Sequence, residues 1–262
     1  MNKNLITITF LAGLTLLACT TPVKKEEQQQ AVSSVQESSK AEQIIEASIK
    51  AHGGELYDKA HFRFTFRENS YRFKNNDNQF EYEFNGLNKQ GDSVHTLLTE
   101  KSINVWINNA PLDLNKKQKV SYSDNLNSVI YFATLPHKLK DNSVNKTYEG
   151  TTSIFNKTYE VIKVTFDQEG GGTDFDDEYY YWINAETNLM DYLAYNYQTN
   201  GGGVRFRAAY NPRKVGGIHF QDYINYKAEV GTPLGQLPKL HENDQLKEIS
   251  RIETENIVEV KN

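Results

Sequence analysis

The chain of 262 residues has one cysteine, two tryptophans and two methionines, and it lacks an apolar run long enough, at roughly 18 residues, to cross a bilayer as a helix. A lone cysteine excludes an internal disulfide. Positive charge is in deficit, with 29 Lys and Arg against 34 Asp and Glu and a formal net charge of −5. Without residues 1–18, which hold one Lys and no acid, the balance is 28 − 34 = −6. That deficit argues against nucleic acid as a partner, because phosphate contacts need Lys and Arg in excess on one face. There is no Gly-x-Ser-x-Gly elbow for a nucleophile, and the six histidines (His52, His61, His95, His137, His219, His241) form no zinc-type spacing. On a regular strand His219 and Asp222 face opposite sides, which argues against a dyad. Strands do not alternate with helices, so a doubly wound fold is excluded.

What is present begins with an address. Lys3 precedes the thirteen-residue stretch Leu5–Leu17, an apolar core of signal-peptide length. The segment ends Leu16-Leu17-Ala18-Cys19, which resembles the bacterial lipobox. The resemblance implies cleavage after residue 18 and acylation of Cys19 with fatty chains such as palmitate, an anchor in the outer membrane of the cell envelope. Two or three chains hold stably where one does not. Residues 20–40 have no aromatic side chain and are rich in Gln, Ser, Glu and Lys, the composition of a disordered tether. Lys25-Glu26-Glu27 resembles the surface-export signal of Bacteroidota lipoproteins and reads equally as a solvated charge run, so the leaflet stays open.

Residues 41–262 read as one domain, mainly β with few helices. A helix opens it: Ser39-x-x-Glu42 is a capping box, Ile44, Ile45 and Ile49 share a face, and Gly53-Gly54 end it. Period two then takes over. Phe62, Phe64 and Phe66 alternate with Arg63, Thr65 and Arg67, and Phe80, Tyr82 and Phe84 alternate with Glu81 and Glu83. These runs are expected to pair antiparallel around Asn75–Asn78, with opposite charges matched across the polar face. Further strands are expected at 94–99, 103–107, 148–154, 159–166, 178–183, 189–197, 204–210, 218–226 and near 257–260. Gly201–Gly203 lack a helix after them and read as a hairpin turn rather than a phosphate loop. Residues 127–139 break the rhythm, with Val129, Phe132 and Leu135 at helical spacing before Pro136. The expected fold is a strongly curved antiparallel sheet or incomplete barrel, its concave side closed by this helix as plug or lid.

The leading helix ending His52-Gly53-Gly54, the long meander and the internal helix are similar to the LolA/LolB-like class of lipoprotein-sorting proteins. That likeness implies a half-barrel with an apolar cavity for acyl chains. A closer likeness is to an uncharacterised domain family of Bacteroidota lipoproteins. It is carried by Ala51-His52-Gly53-Gly54, Phe64-Thr65-Phe66-Arg67, Asn127–Phe132 with Leu135-Pro136, Trp182-Ile183 and Gly202–Arg207. A soluble carrier has no lipid anchor, so Cys19 makes an anchored acceptor the nearer analogue.

Two constellations are candidates for function. Asp174, Asp176, Asp177 and Glu178 follow Gly170–Gly172 and offer oxygen ligands for Ca²⁺, although the spacing is not that of an EF-hand. The same acids also read as a solvated loop, or as partners of Arg205 and Arg207. The second is aromatic: Tyr179–Ile183 is apolar on both faces, and Tyr192, Tyr195, Tyr197, Phe206 and Tyr210 add to it. The residues expected to line a cavity are Phe64, Phe66, Phe132, Tyr181, Trp182 and Phe206. The resulting expectation is a membrane-anchored, non-enzymatic protein holding a lipid or other amphiphile. Its alternatives are a hydrolase of envelope glycans or peptides using the 174–178 carboxylates, and a structural component binding other envelope proteins.

Overall fold

The computed structural model describes residues 40–77, 79–141, 143–167 and 177–261, and for residue 200 the backbone alone. The signal, Cys19, the tether and the capping residue Ser39 lie outside this range, as do Asp174 and Asp176 of the acidic loop.

Helix α1 covers residues 40–52 and turns at Gly53, whose φ of 137° suits glycine. Six strands follow: β1 (His61–Phe66), β2 (Asn69–Asn76), β3 (Gln79–Leu87), β4 (Ser93–Thr99), β5 (Ile103–Ile107) and the short β6 (Ala110–Pro111). Helix α2 (Lys116–Ala133) leads to β7 (Val144–Ile154), β8 (Lys157–Phe166), β9 (Tyr179–Asn184), β10 (Met190–Tyr197), β11 (Gly203–Val215) and β12 (Ile218–Ala228). Helix α3 (Leu237–Glu242), β13 (Lys247–Ile252) and β14 (Glu255–Glu259) come last among the described elements. Among the described residues the strands form two open seven-stranded sheets, in the orders β14-β1-β2-β3-β4-β5-β6 and β13-β12-β11-β10-β9-β8-β7. The mainly β, antiparallel, unclosed class is the one the alternation called for, divided here between two sheets where one was expected.

The first hairpin corrects the sequence reading. Phe62–Phe66 does not pair with Phe80–Phe84, because β2 lies between them and pairs with both. Its turn is Arg67-Glu68, both at positive φ (49° and 67°), a two-residue hairpin turn made without the usual Asn or Gly. The charge match therefore belongs to Arg72 on β2, which reaches Glu81 and Glu83 on β3 at 2.5 Å each. Helix α2 also begins eleven residues before its expected start at 127, where Asn115 and Gln118 form a reciprocal capping box. Lys, Gln and Ser fill its first turns, so hydrophobic spacing there gave no signal.

Two apolar layers, one on each side of β9, explain the two-faced strand, and a third lies in the first sheet. On one side of the second sheet, Tyr181, Ile183, Leu193 and Ile162 pack under α1 and the end of α2. On the other, Trp182, Phe206, Ala194 and Tyr159 pack against Leu234 and Leu237 at the start of α3. The first sheet buries Phe62, Phe64, Tyr71, Phe73 and Tyr82 against Leu126 and Ile130 of α2. One helix thus feeds both sheets.

The chain passes from the second sheet to the first at residues 253–254, between β13 and β14. This crossing is pinned by Asp222, 3% exposed, which accepts hydrogen bonds from Thr254 N (2.9 Å), Arg213 Nη2 (2.9 Å) and Asn211 Nδ2 (2.7 Å). His219 meanwhile faces Gln221 Oε1 at 3.2 Å and the ring of His52, so it forms no dyad with Asp222, as the strand parity requires.

Candidate functional site

A cavity of about 360 Å³ opens where α2, the β1–β2 hairpin and the second sheet meet. Helix α2 contributes Ser128, Val129, Phe132 and Ala133, and the hairpin contributes Phe66 and Arg67. The sheet contributes one face of neighbouring strands: Tyr195 from β10, Arg207 from β11, Gln221, Tyr223 and Asn225 from β12, and Ile252 from β13, with Thr254 beside them. Period two places Gln221, Tyr223 and Asn225 on the same side, and the register Arg207↔Asn225 and Arg207↔Leu193 brings the β11 residue into line with them.

The walls are rings. Phe132 lies 5.7 Å from Tyr195, which stacks on Tyr179 at 5.3 Å. Behind Phe132, the hydroxyls of Tyr131 and Tyr181 share a hydrogen bond of 2.8 Å, and burial pushes both hydroxyls to higher pKa. Burial likewise pushes Tyr223 up to about 12, and its hydroxyl accepts a 2.8 Å hydrogen bond from Gln221 Nε2. These phenols stay neutral across the physiological range.

Two cations line the cavity: Arg67, on the hairpin turn, is exposed, and Arg207 is buried in the wall. Arg207 is 7% exposed, its guanidinium 3.8 Å above the Phe132 ring, and Nη2 donates to Tyr195 Oη at 3.0 Å. Its Nε and Nη1 have no hydrogen-bond partner, and among the described residues no carboxylate lies within ion-pair distance of it. Among the described residues, none of those lining the cavity is an acid.

Of the residues expected to line a cavity, Phe66 and Phe132 do so. Phe64 lies in the first sheet's core, stacked on Tyr71 at 5.6 Å, and Tyr181 lies beneath α2 without reaching the cavity wall. Trp182 and Phe206 are on the opposite face of the second sheet, 5.7 Å apart and packed toward α3. Alternation makes this split unavoidable, since 181 and 182, like 206 and 207, face opposite sides. Sequence reasoning missed Gln221, Tyr223 and Asn225. Their signal was available as a polar and aromatic face alternating with Ile218, Phe220, Ile224 and Tyr226, a side interrupted by Asp222.

The acidic constellation is only partly visible. Asp174 and Asp176 lie outside the described residues; Asp177 is buried, and Glu178 is ion-paired with Lys163 rather than with Arg205 or Arg207. Arg205 instead donates to the Tyr197 hydroxyl at 2.5 Å. Among the described residues no group of three or more His, Cys, Asp or Glu side chains could hold a metal ion, so nothing supports the calcium reading. The glycines at 201–203 join β10 to β11 as a turn, and Gly203 is held against Tyr197, whose ring a Cβ would meet at 2.4 Å.

Comparison with known proteins adds the following. No curated protein sequence matches the chain. Among solved structures, a LolA superfamily protein from Nitrosomonas europaea overlaps 85% of this chain and 94% of its own at 10% identity, with a TM-score of 0.47. A putative outer membrane lipoprotein-sorting protein domain from Vibrio parahaemolyticus covers 77% of this chain and 99% of its own at 7% identity, TM-score 0.31. The Mycobacterium tuberculosis lipoprotein LppX covers 61% and 90% at 12% identity, TM-score 0.28. Scores this low carry no functional weight. Over residues 30–254 the sequence matches a family model, and the chain belongs to that family, a family of unknown function (DUF6503).

Proposed function

We propose that the chain is an envelope lipoprotein, anchored to the outer membrane through Cys19, that holds a lipid or other amphiphile in the cavity beneath α2. The observation that carries this reading is the cavity itself. At about 360 Å³ it lies at the lower end of the range of small-molecule sites, and its walls are mostly aromatic and aliphatic. An amphiphile with one compact apolar part suits that volume. The lipobox and the polar segment after it support a tethered domain close to a membrane, where such ligands are found. Among the described lining residues there is no acid, and the Ser128 hydroxyl donates to the Asn125 carbonyl at 3.0 Å, so the binding reading has more support here than the hydrolase one.

The test is mass spectrometry of lipids retained by the full chain purified from membranes, beside a Phe132→Asp variant prepared in the same way. An amphiphile near one equivalent in the wild type and depleted in the variant is the expected result. Equal lipid content in both preparations would remove the carrier reading. Loss of the acyl label and of membrane attachment in Cys19→Ala tests the anchor separately.

A further inference from the structure

We infer that the cavity selects amphiphiles with an anionic head, a carboxylate or a phosphate, and that Arg207 is the residue that binds it. This rests on the reading of the cavity as an amphiphile site. Arg207 carries a guanidinium cation, and burial of an unpaired charge is costly unless something compensates it. The compensation visible here is incomplete. The Phe132 ring at 3.8 Å and the Tyr195 ring at 5.3 Å supply cation–π attraction, and the Tyr195 hydroxyl accepts one hydrogen bond. The N–H groups of Nε and Nη1 are buried and without partners.

Other arginines of the same domain show what is missing. Arg72 is held by Glu81 and Glu83, and Arg213 by Asp222. Arg207 alone of these three is more than nine-tenths buried, lines a cavity and has no carboxylate beside it among the described residues. A ligand anion would complete the set with charge-assisted hydrogen bonds, while its apolar chain lies along Phe132, Val129 and Ile252. Asn225 Oδ1, in the same lining and also without a partner, is an acceptor suited to a head-group hydroxyl. A cationic head would be repelled, and an uncharged one would leave the guanidinium as it is.

The experiment is native mass spectrometry of the full chain released from non-ionic detergent micelles at neutral pH. It is titrated separately with myristate, a myristoyl lysophosphatidate, uncharged monomyristoylglycerol and inorganic phosphate. Either or both acyl anions are expected to bind about tenfold or more tightly than the monoacylglycerol, the scale of hydrogen bonds to a charged group. Which anion binds tighter identifies the head as carboxylate or phosphate. Arg207→Gln should bring the ratio of anion to monoacylglycerol affinity close to one, whatever it does to cavity binding as a whole, and Arg207→Lys should retain part of the preference. Equal binding of all three amphiphiles by the wild type, a comparison that needs no variant, would overturn the head-group inference and leave the carrier reading standing. Inorganic phosphate binding as tightly as the acyl anions would also overturn it. Failure of every amphiphile to bind would remove the carrier reading, and this inference with it.

Discussion

The Arg207 guanidinium sits 3.8 Å over the Phe132 ring, so a single contact ties the middle of the second sheet to the inner face of α2. Phe132 also packs on Tyr195 and Tyr131, at 5.7 and 5.4 Å. Phe132→Ala therefore removes a cavity wall and a cation–π partner together. Because the ring is only partly buried, the expected loss of stability is about 2–3 kcal/mol, below that of a fully buried Phe. Urea unfolding of the two proteins checks the value. A change under half a kilocalorie would show that α2 is not fastened through this ring.

Tyr131 and Tyr181, the latter fully buried, form a hydroxyl pair at 2.8 Å between α2 and β9. Tyr131→Phe or Tyr181→Phe alone strands one buried hydroxyl, at a cost of about 1–2 kcal/mol. The double variant strands none, so it should cost less than the sum of the two. A double-mutant cycle on unfolding free energies measures the coupling, and strict additivity would mean that water reaches the pair.

These two predictions rest on parts of the fold that differ in how far the sequence reveals them. Strand β9 was legible because Tyr179–Ile183 is apolar on both faces, and it lies between α1 and α2 on one side and α3 on the other. Strand β2 was hidden because its turn, Arg67-Glu68, reaches positive φ without Asn or Gly. The start of α2 was hidden because its first turns are charged, and its capping box uses Asn115 and Gln118. The site was half legible for a related reason. Phe66 and Phe132 announce an apolar wall, but whether residue 206 or 207 faces it depends on strand parity, which the cross-strand register fixes and local sequence leaves open. Arg207 read as a partner for the acidic loop; its burial against Phe132 depends on α2 folding across the sheet.

Asp222 holds the crossing between the sheets. Asp222→Asn keeps the shape but removes the charge opposite Arg213, whose side chain is one-quarter exposed and so partly hydrated. The expected destabilisation is about 2–3 kcal/mol, short of that for a fully buried broken pair. Amide exchange should rise first at Thr254, whose N–H donates to Asp222 at 2.9 Å. If protection there is unchanged, the crossing is held by strand pairing alone.

Acid should loosen the domain through its buried histidines. Burial lowers His52 to about 4, the Ser48 carbonyl offsetting part of this and the nearby His219 adding to it. Burial also lowers His137 to about 4, helped by Lys140 and opposed by Asp58. Both are neutral in the folded state, whereas the unfolded chain takes up a proton on each near pH 6.5. The unfolded state thus binds more protons between about pH 6.5 and 4, and stability falls as pH falls through that window. Above pH 6.5 neither histidine adds a pH dependence. Each contributes on the order of 3 kcal/mol to the full acid loss, at about 1.4 kcal/mol per unit of pKa difference. Urea unfolding at intervals from pH 7 to 4 should show this slope. Whatever it does to stability at neutral pH, His52→Gln should reduce the slope without abolishing it, since burial also lowers His137, His219 and His241. A variant with an undiminished acid slope would show that His52 takes up its proton without unfolding the chain.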